Sequence, residues 1–157
     1  MYNVIIADDH FLIREGIKKI FENSRNFKII AEASNGDSAM CLIDQYNCDL
    51  LISDISSTMF EFLPLNKPII QAECYTLRLK HRIFPHRFWK RLDLKRLEDI
   101  DFTYKIQSAR DLFSRVYYAL NNVEEMQNHR KKASEFYLYK NDGKASSRLL
   151  NALENYN

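Results

Sequence analysis

The feature that most limits how this chain can fold is a short apolar run that stops abruptly at acids, and that occurs twice. Val4-Ile5-Ile6-Ala7 ends at Asp8-Asp9, and Leu50-Leu51-Ile52-Ser53 ends at Asp54. Runs of this length without polar alternation suit strands buried on both faces, as in a parallel sheet. Between them, Leu12, Ile13, Gly16, Ile17, Ile20 and Phe21 recur at helical spacing. That spacing leaves Arg14, Glu15, Lys18 and Lys19 for the wet face. Residues 27–31 read as a second strand, Asn35-Gly36-Asp37 as a turn, residues 39–46 as a short helix and 49–54 as a third strand. The β-α-β-α-β order predicts a parallel sheet with helices on its faces.

Beyond Asp54 the pattern changes. Ser56 or Ser57 can cap a short helix that runs through Phe62 and is stopped by Pro64. Residues 67–70 read as a fourth strand, whereas 73–105 give no assignment. Helical spacing then predicts helices over 108–121, 123–138 and 146–155. The expected fold is α/β, a three-layer Rossmann-like or flavodoxin-like parallel sheet in order 2-1-3-4 with a helical C-terminal part. Residues 1–55 and 56–157 are expected to form one continuous domain.

Charge divides the chain at the same place. Residues 1–55 hold five Lys/Arg and nine Asp/Glu, a net of −4, against eighteen and twelve in residues 56–157, a net of +6. Such a shift is what a domain boundary or a fusion produces. No apolar run approaches the ~20 residues of a membrane-spanning helix, so a cytoplasmic location is expected. Cys41, Cys48 and Cys74 show no CxxC spacing, which points to reduced thiols rather than a zinc site.

In a parallel sheet the carboxyl ends of neighbouring strands open on one crevice, which brings Asp8, Asp9 and Asp54 together. Three converging carboxylates need a cation, and hard oxygen ligands suit Mg²⁺. Such a site can hold a phosphoryl group in line with a carboxylate nucleophile, for which Asp54 is the candidate. The plainer alternative is that Asp8 and Asp9 end a strand and cap the next helix. Ser56, Ser57 and Thr58 likewise offer hydroxyls at a helix start, suited either to a phosphate or to ordinary N-capping. His10, His81, His86 and His129 suggest no specific role.

Two resemblances bear on these residues. Val4-Ile-Ile-Ala-Asp-Asp-His10, Ile13-Arg-Glu-Gly16, Ala31-Glu-Ala-Ser-Asn-Gly36 and Cys48-Asp-Leu-Leu-Ile-Ser-Asp54 resemble the start of a LuxR-class response-regulator receiver, over about residues 1–55. That resemblance implies Mg²⁺ at Asp8, Asp9 and Asp54, phosphoryl acceptance by Asp54, and a histidine kinase as partner. The receiver's fourth-strand hydroxyl and fifth-strand lysine find no counterpart, since Lys67 opens the fourth strand.

Ser53-Asp-Ile-Ser-Ser-Thr-Met-Phe-Glu-Phe62, Leu65-Asn-Lys-Pro-Ile-Ile70 and Asn141-Asp-Gly-Lys-Ala-Ser-Ser-Arg148 are similar to the C-terminal part of the CDP-glycerol glycerophosphotransferases, over about residues 50–157. Those enzymes build teichoic-acid-like or capsular polymers on a GT-B fold. The resemblance implies CDP-glycerol as ligand, with Ser56, Ser57 and Thr58 as phosphate contacts. The first domain of that fold and its general-base histidine have no counterpart here.

Between Arg78 and Arg96 stand eight Lys/Arg against one acid, Asp93, with Phe84, Phe88 and Trp89 interleaved. Arg87, Lys90 and Arg91 are the candidate anion contacts, for nucleotide phosphates, a polyanionic polymer or an anionic membrane surface at which the protein would sit peripherally. A solvated basic face is the bland alternative. No nucleic-acid-binding module pattern occurs. Three functional readings stay open: a donor-phosphate-binding segment of a glycerophosphotransferase, a receiver-like Mg²⁺-dependent phosphoacceptor, and a chimera without activity.

Overall fold

In a computed structural model of the chain, residues 1–73, 100–138, 140 and 142–155 are described. Strand β1 is Tyr2–Ala7, followed by helix α1, Phe11–Phe21; strand β2 is Phe27–Ala33, helix α2 Gly36–Gln45 and strand β3 Leu50–Ser53. Helix α3, Ser57–Glu61, passes into a 3-10 turn at Leu63–Leu65, and strand β4 is Ile69–Ala72. Strand β5, Tyr104–Ile106, leads through a 3-10 turn at Ala109–Asp111 to helix α4, Leu112–Asn121. Helices α5, Gln127–Leu138, and α6, Ala145–Glu154, follow.

The five strands form one sheet in the order β2-β1-β3-β4-β5, and every adjacent pair is parallel. The expected order 2-1-3-4 is therefore present, extended by one edge strand. Because successive side chains of a strand point to opposite faces, the apolar runs split into two cores. Val4, Ile6, Leu50, Ile52, Ile70, Tyr104 and Ile106 face Ile17 and Phe21 of α1 and Leu112, Val116 and Leu120 of α4. Ile5, Ala7, Leu51 and Ile69 face Ala39 and Ile43 of α2, Met59 of α3, Leu63 and Ala133 of α5. Each fully buried Ile or Leu in these layers contributes about 1.5–3 kcal/mol, so the unalternated strands are what fix the three-layer form.

Helix α5 crosses to the face opposite α4, where Arg130 anchors it. Its guanidinium is fully buried, donates through Nη2 to the Val123 carbonyl at 2.7 Å and through Nε to Asn66 Oδ1 at 3.2 Å. Asn66 sits in the left-handed region, φ 52°, where asparagine is tolerated, and closes the 3-10 turn ahead of β4.

Several sequence expectations change. The short helix ends at Glu61 with Phe62 as its C-cap, whose N–H still donates to the Thr58 carbonyl at 3.0 Å, and Pro64 is accommodated in the first turn of the following 3-10 segment rather than acting as a bare stop. The fourth strand begins at Ile69, since Pro68 lacks the N–H a ladder uses, and it runs on to Ala72. β5 begins at the end of the unassigned stretch, and its length of three residues gives too little pattern to read. It carries Lys105, paired with Gln71, so the fifth strand does contain a lysine. The helix expected from 123 starts at Gln127, after the turn that delivers the Val123 carbonyl to Arg130.

Candidate functional site

Parallel pairing of β1 with β3 sets Ala7 opposite Ser53, so the residues that follow, Asp8 and Asp54, emerge side by side at the carboxyl edge of the sheet. Asp8, Asp9, Asp54, Ser56 and Thr58 line one pocket of about 250 Å³, with Ala7 and the Ser34-Asn35-Gly36 turn. The expected convergence of the three acids is thus what the strand register produces. Asp8 is 6% exposed, Asp9 is exposed and Asp54 is half-buried.

Burial first, and then the charges of Asp8 and Asp9, push the Asp54 carboxyl above its ordinary value. The Ser56 hydroxyl donates to it, and His10 lies close enough for its charge to count; both pull in the other direction. The net effect is a carboxyl that holds its proton more firmly than usual, mainly because it is half-buried.

The turn holding Asp8 is fixed from several sides. Its backbone N–H donates to the Ala33 carbonyl at 3.1 Å. Arg14 Nη1 donates to the Asp8 carbonyl at 2.8 Å, while Arg14 Nε is held by Glu32 Oε2 at 3.2 Å. Lys18 also reaches Glu32, at 3.1 Å, and with Arg14 it keeps the Glu32 carboxyl below its usual range. On the carboxylate side, the His10 backbone N–H donates to Asp8 Oδ1 at 2.7 Å. The His10 ring turns back over the acids, with Nδ1 2.6 Å from Asp9 Oδ1 and 3.3 Å from Asp8 Oδ1. Asp8, Asp9 and His10 together are a group whose ligand atoms all lie within 4.8 Å of one another.

The serine turn is arranged differently from a phosphate cradle built on a helix dipole. Ser56 is the N-cap of α3 by backbone conformation, but its side chain makes no cap hydrogen bond and stands 3.0 Å from Ser53 Oγ instead. Helix α3 has five residues, too few to gather much of a macrodipole. Ser57 is exposed and Thr58 buried. A Cβ on Gly36 would meet Ser57 Oγ at 3.5 Å and Thr58 Oγ1 at 3.6 Å, so the α2 and α3 starts close the pocket from one side.

Three residues of this site carried no sequence signal strong enough to be singled out: His10, Arg14 and Asn35. His10 was legible only by adjacency to the acidic pair. At the carboxyl end of β4 stand Gln71 and Glu73, hydrogen-bonded at 2.8 Å, so no hydroxyl occupies the place where a receiver has one. Lys105 does not line the pocket. Arg87, Lys90 and Arg91, with the whole basic stretch and Cys74, lie outside the described residues.

Comparison with known proteins gives two sets of relatives. The chain is 32% identical over 68 residues to the transcriptional regulatory protein DegU of Brevibacillus brevis, covering 43% of this chain and 29% of that protein. It is 40% identical over 55 residues to the transcriptional regulatory protein YdfI of Bacillus subtilis, covering 35% and 26%. The chain spans about a quarter to a third of the curated relatives it matches. Among solved structures, a LuxR-family DNA-binding response regulator from Staphylococcus aureus superposes with a TM-score of 0.54 at 22% identity, over 78% of this chain and all of that one. The response regulator domain of Thermotoga maritima CheB superposes with a TM-score of 0.55 at 15% identity, over 77% and 97%. At these identities the superpositions establish the flavodoxin-like receiver fold. The family model described as CDP-Glycerol:Poly(glycerophosphate) glycerophosphotransferase matches residues 2–155, across both segments. The chain is therefore a composite: it has a receiver's fold and a receiver-like first third, and by a match that spans nearly its whole length it belongs to the CDP-glycerol:poly(glycerophosphate) glycerophosphotransferase family.

Proposed function

We propose that the chain is a cation-dependent phosphoacceptor in which Asp54 takes a phosphoryl group from a histidine kinase. The observation that carries this reading is the placing of Asp54 beside Asp8 and Asp9 in one pocket, with its carboxyl raised by burial and by their charge. The donor set is carboxylate oxygen, which fits Mg²⁺, and Asp8, Asp9 and Asp54 would hold it. When bound, that ion would offset the charge of the acids and of an incoming phosphoryl group. Asp54 would then act as nucleophile, one carboxylate oxygen forming the O–P bond as the bond to the donor nitrogen breaks. Arg14 keeps the Asp8 turn in place by holding its carbonyl, and Ser56 orients the Asp54 carboxylate by donating to it. The response-regulator relatives support a histidine kinase as partner, and with it a cytoplasmic site of action. No helix among the described residues is long and apolar enough to cross a membrane.

Acetyl phosphate or beryllofluoride with Mg²⁺ tests this directly. A one-phosphoryl mass increase on the peptide containing Asp54, lost in Asp54→Asn, is the expected result. Modification at another residue, or none, would remove the reading.

The family match supports a second reading, in which the same pocket receives the phosphates of CDP-glycerol through Ser56, Ser57 and Thr58. Ser56 and Thr58 line the pocket that holds the acids, so the two ligand classes would compete for one place. Transfer of glycerophosphate to a teichoic-acid-like or capsular polymer, and contact of Arg87, Lys90 and Arg91 with that polymer or an anionic membrane, belong to this reading. We treat residues 1–55 and 56–157 as one folding unit in both, a view supported by the single sheet to which both contribute. Calorimetric titration with CDP-glycerol separates the readings, since a phosphoacceptor alone should show no heat.

A further inference from the structure

We infer that Asn35-Gly36 is a self-modifying site, at which the Asn35 side-chain amide is displaced by the neighbouring main chain and a carboxylate is added to the wall of the acidic pocket.

Asn35 is the only asparagine of the chain that is followed by glycine. A glycine nitrogen is the least hindered main-chain nucleophile, since no Cβ stands beside it. Gly36 is the first residue of α2, so its N–H has no acceptor inside the helix. Asn35 itself is exposed, with an extended backbone at φ −159° and ψ 169°. Its Oδ1 accepts from the Ser38 backbone N–H at 2.8 Å, a group that can only donate, so the amide oxygen is the atom that faces the helix. That oxygen gains negative charge when the amide carbon is attacked, and the Ser38 N–H at the positive end of α2 is placed to stabilise it. Nδ2, the leaving group, makes no hydrogen bond among the described residues.

The conversion needs water alone as co-reactant. The Gly36 nitrogen forms a bond to Asn35 Cγ, its proton passes to solvent, and the Cγ–Nδ2 bond breaks with release of ammonia. Water then opens the five-membered imide. Cleavage between Cγ and the Gly36 nitrogen gives aspartate, and cleavage between the Asn35 main-chain carbonyl carbon and that nitrogen gives isoaspartate. Nothing is oxidised or reduced. Aspartate caps a helix about as well as asparagine, so that product keeps the start of α2. Isoaspartate lengthens the main chain by one methylene at the cap.

Asn35 lines the pocket together with Asp8, Asp9 and Asp54, so the new charge joins theirs. It would oppose an incoming phosphoryl group. That consequence rests on the phosphoacceptor reading, whereas the conversion does not.

The test is ageing of the full chain at mildly alkaline pH and body temperature, followed by peptide mapping. The peptide carrying Asn35 should gain one mass unit, or three in heavy-oxygen water, with aspartate and isoaspartate both present. Gly36→Ala should slow the gain about 10-fold, because alanine lacks glycine's backbone freedom and crowds the closing ring. That variant keeps the fold, since the added Cβ would meet Ser57 Oγ at 3.5 Å and Thr58 Oγ1 at 3.6 Å, ordinary contact distances. Asn23, exposed and followed by serine, is the reference in the same sample. Conversion of Asn23 ahead of Asn35, conversion of Asn35 only in urea, or an equal rate in Gly36→Ala would each overturn the inference. Acetyl phosphate labelling of Asp54 is then compared in the native chain and in Asn35→Asp, where one added charge at ~6 Å in water should slow it about 3-fold. Equal labelling would remove the effect on the pocket. Absence of labelling in both would remove the phosphoacceptor reading and leave the conversion standing.

Discussion

Ala7 of β1 stands opposite Ser53 of β3 in parallel register, and the residue that follows each of them is an acid. The closeness of Asp54 to Asp8 is therefore set by the pairing of two central strands, and burial together with the Asp8 and Asp9 charges acts on its carboxyl. Asp54 holds its proton to higher pH in the folded chain than in the unfolded one. Between the ordinary carboxylate range and that raised value the folded state binds more protons, so stability falls as pH rises through the window. Asp54→Asn should remove this slope. Without divalent cation at neutral pH it should raise Tm by a few degrees, the usual scale of a single favourable change in a chain of this size. It should also weaken Mg²⁺ binding. Thermal melts across pH 4–8 with and without Mg²⁺ check both, and an unchanged slope would mean that the three acids are solvated independently.

Gln71 occupies the end of β4 where its side chain is fully buried, accepting from Thr103 Oγ1 at 2.7 Å and donating to Glu73 at 2.8 Å. Gln71→Ala would leave the buried Thr103 hydroxyl without its acceptor. The expected loss is about 1–3 kcal/mol, read from urea denaturation. A loss below about 0.5 kcal/mol would mean that water replaces the glutamine at this edge.

Arg130 is a buried cation whose Nη1 has no hydrogen-bond partner among the described residues, and burial lowers its pKa. Its net contribution should be small, because the cost of taking the charge out of water offsets its bonds to Asn66 and Val123. Arg130→Met keeps the packed stem and should leave stability within about 1 kcal/mol of the native chain, or raise it. Arg130→Ala loses the packing as well and should cost about 2–4 kcal/mol. Equal losses in the two variants would show that the two hydrogen bonds carry the stabilisation.

Cys48 and Cys41 should differ sharply in reactivity. Burial pushes the Cys48 thiol up to about 11, and its Sγ donates to the Leu50 carbonyl at 3.0 Å, whereas Cys41 is exposed. Iodoacetamide near neutral pH should label Cys41 in the native protein and Cys48 only on unfolding, as peptide mapping would show. Prompt native labelling of Cys48 would mean that the β1–β3 layer opens locally.

What could be read in advance follows the strength of the local signal. The unalternated strands at Val4–Ala7 and Leu50–Ser53 announced a parallel sheet, and parallel register then carried Asp8 and Asp54 to one edge. Those two inferences needed only periodicity. β5 was missed because Tyr104-Lys105-Ile106 is three residues long and holds a lysine at its centre, too little pattern to stand out. Its place is set by pairing with β4, a long-range contact that no local rule contains. His10 was passed over for a similar reason: a histidine beside two acids acquires meaning only when its backbone N–H is found on Asp8 and its ring on Asp9. The serine turn left two readings open in the sequence, a phosphate contact or an N-cap, and in the fold the Ser56 side chain makes no cap hydrogen bond and stands against Ser53 at the start of a five-residue helix.

A diphosphate seated against Ser56 and Thr58 would share a pocket with Asp8, Asp9 and Asp54. At ~6 Å in water each carboxylate opposes a unit of phosphate charge by about 0.7 kcal/mol, and by several-fold more where water is excluded. Three such acids outweigh the ~0.3–1 kcal/mol that a helix end contributes to binding an exposed anion, and a five-residue helix supplies less. Binding of CDP-glycerol should therefore be weak in metal-free buffer and at least about 10-fold tighter with Mg²⁺, a difference of about 1.4 kcal/mol. Asp9→Asn removes one of the opposing charges at an exposed position, so it should improve metal-free binding while reducing the gain from Mg²⁺. Calorimetry at low salt, with and without Mg²⁺, on the native chain and Asp9→Asn reads all four affinities. Equal affinity in the two buffers would place the phosphates away from the acids and remove the shared pocket from the account.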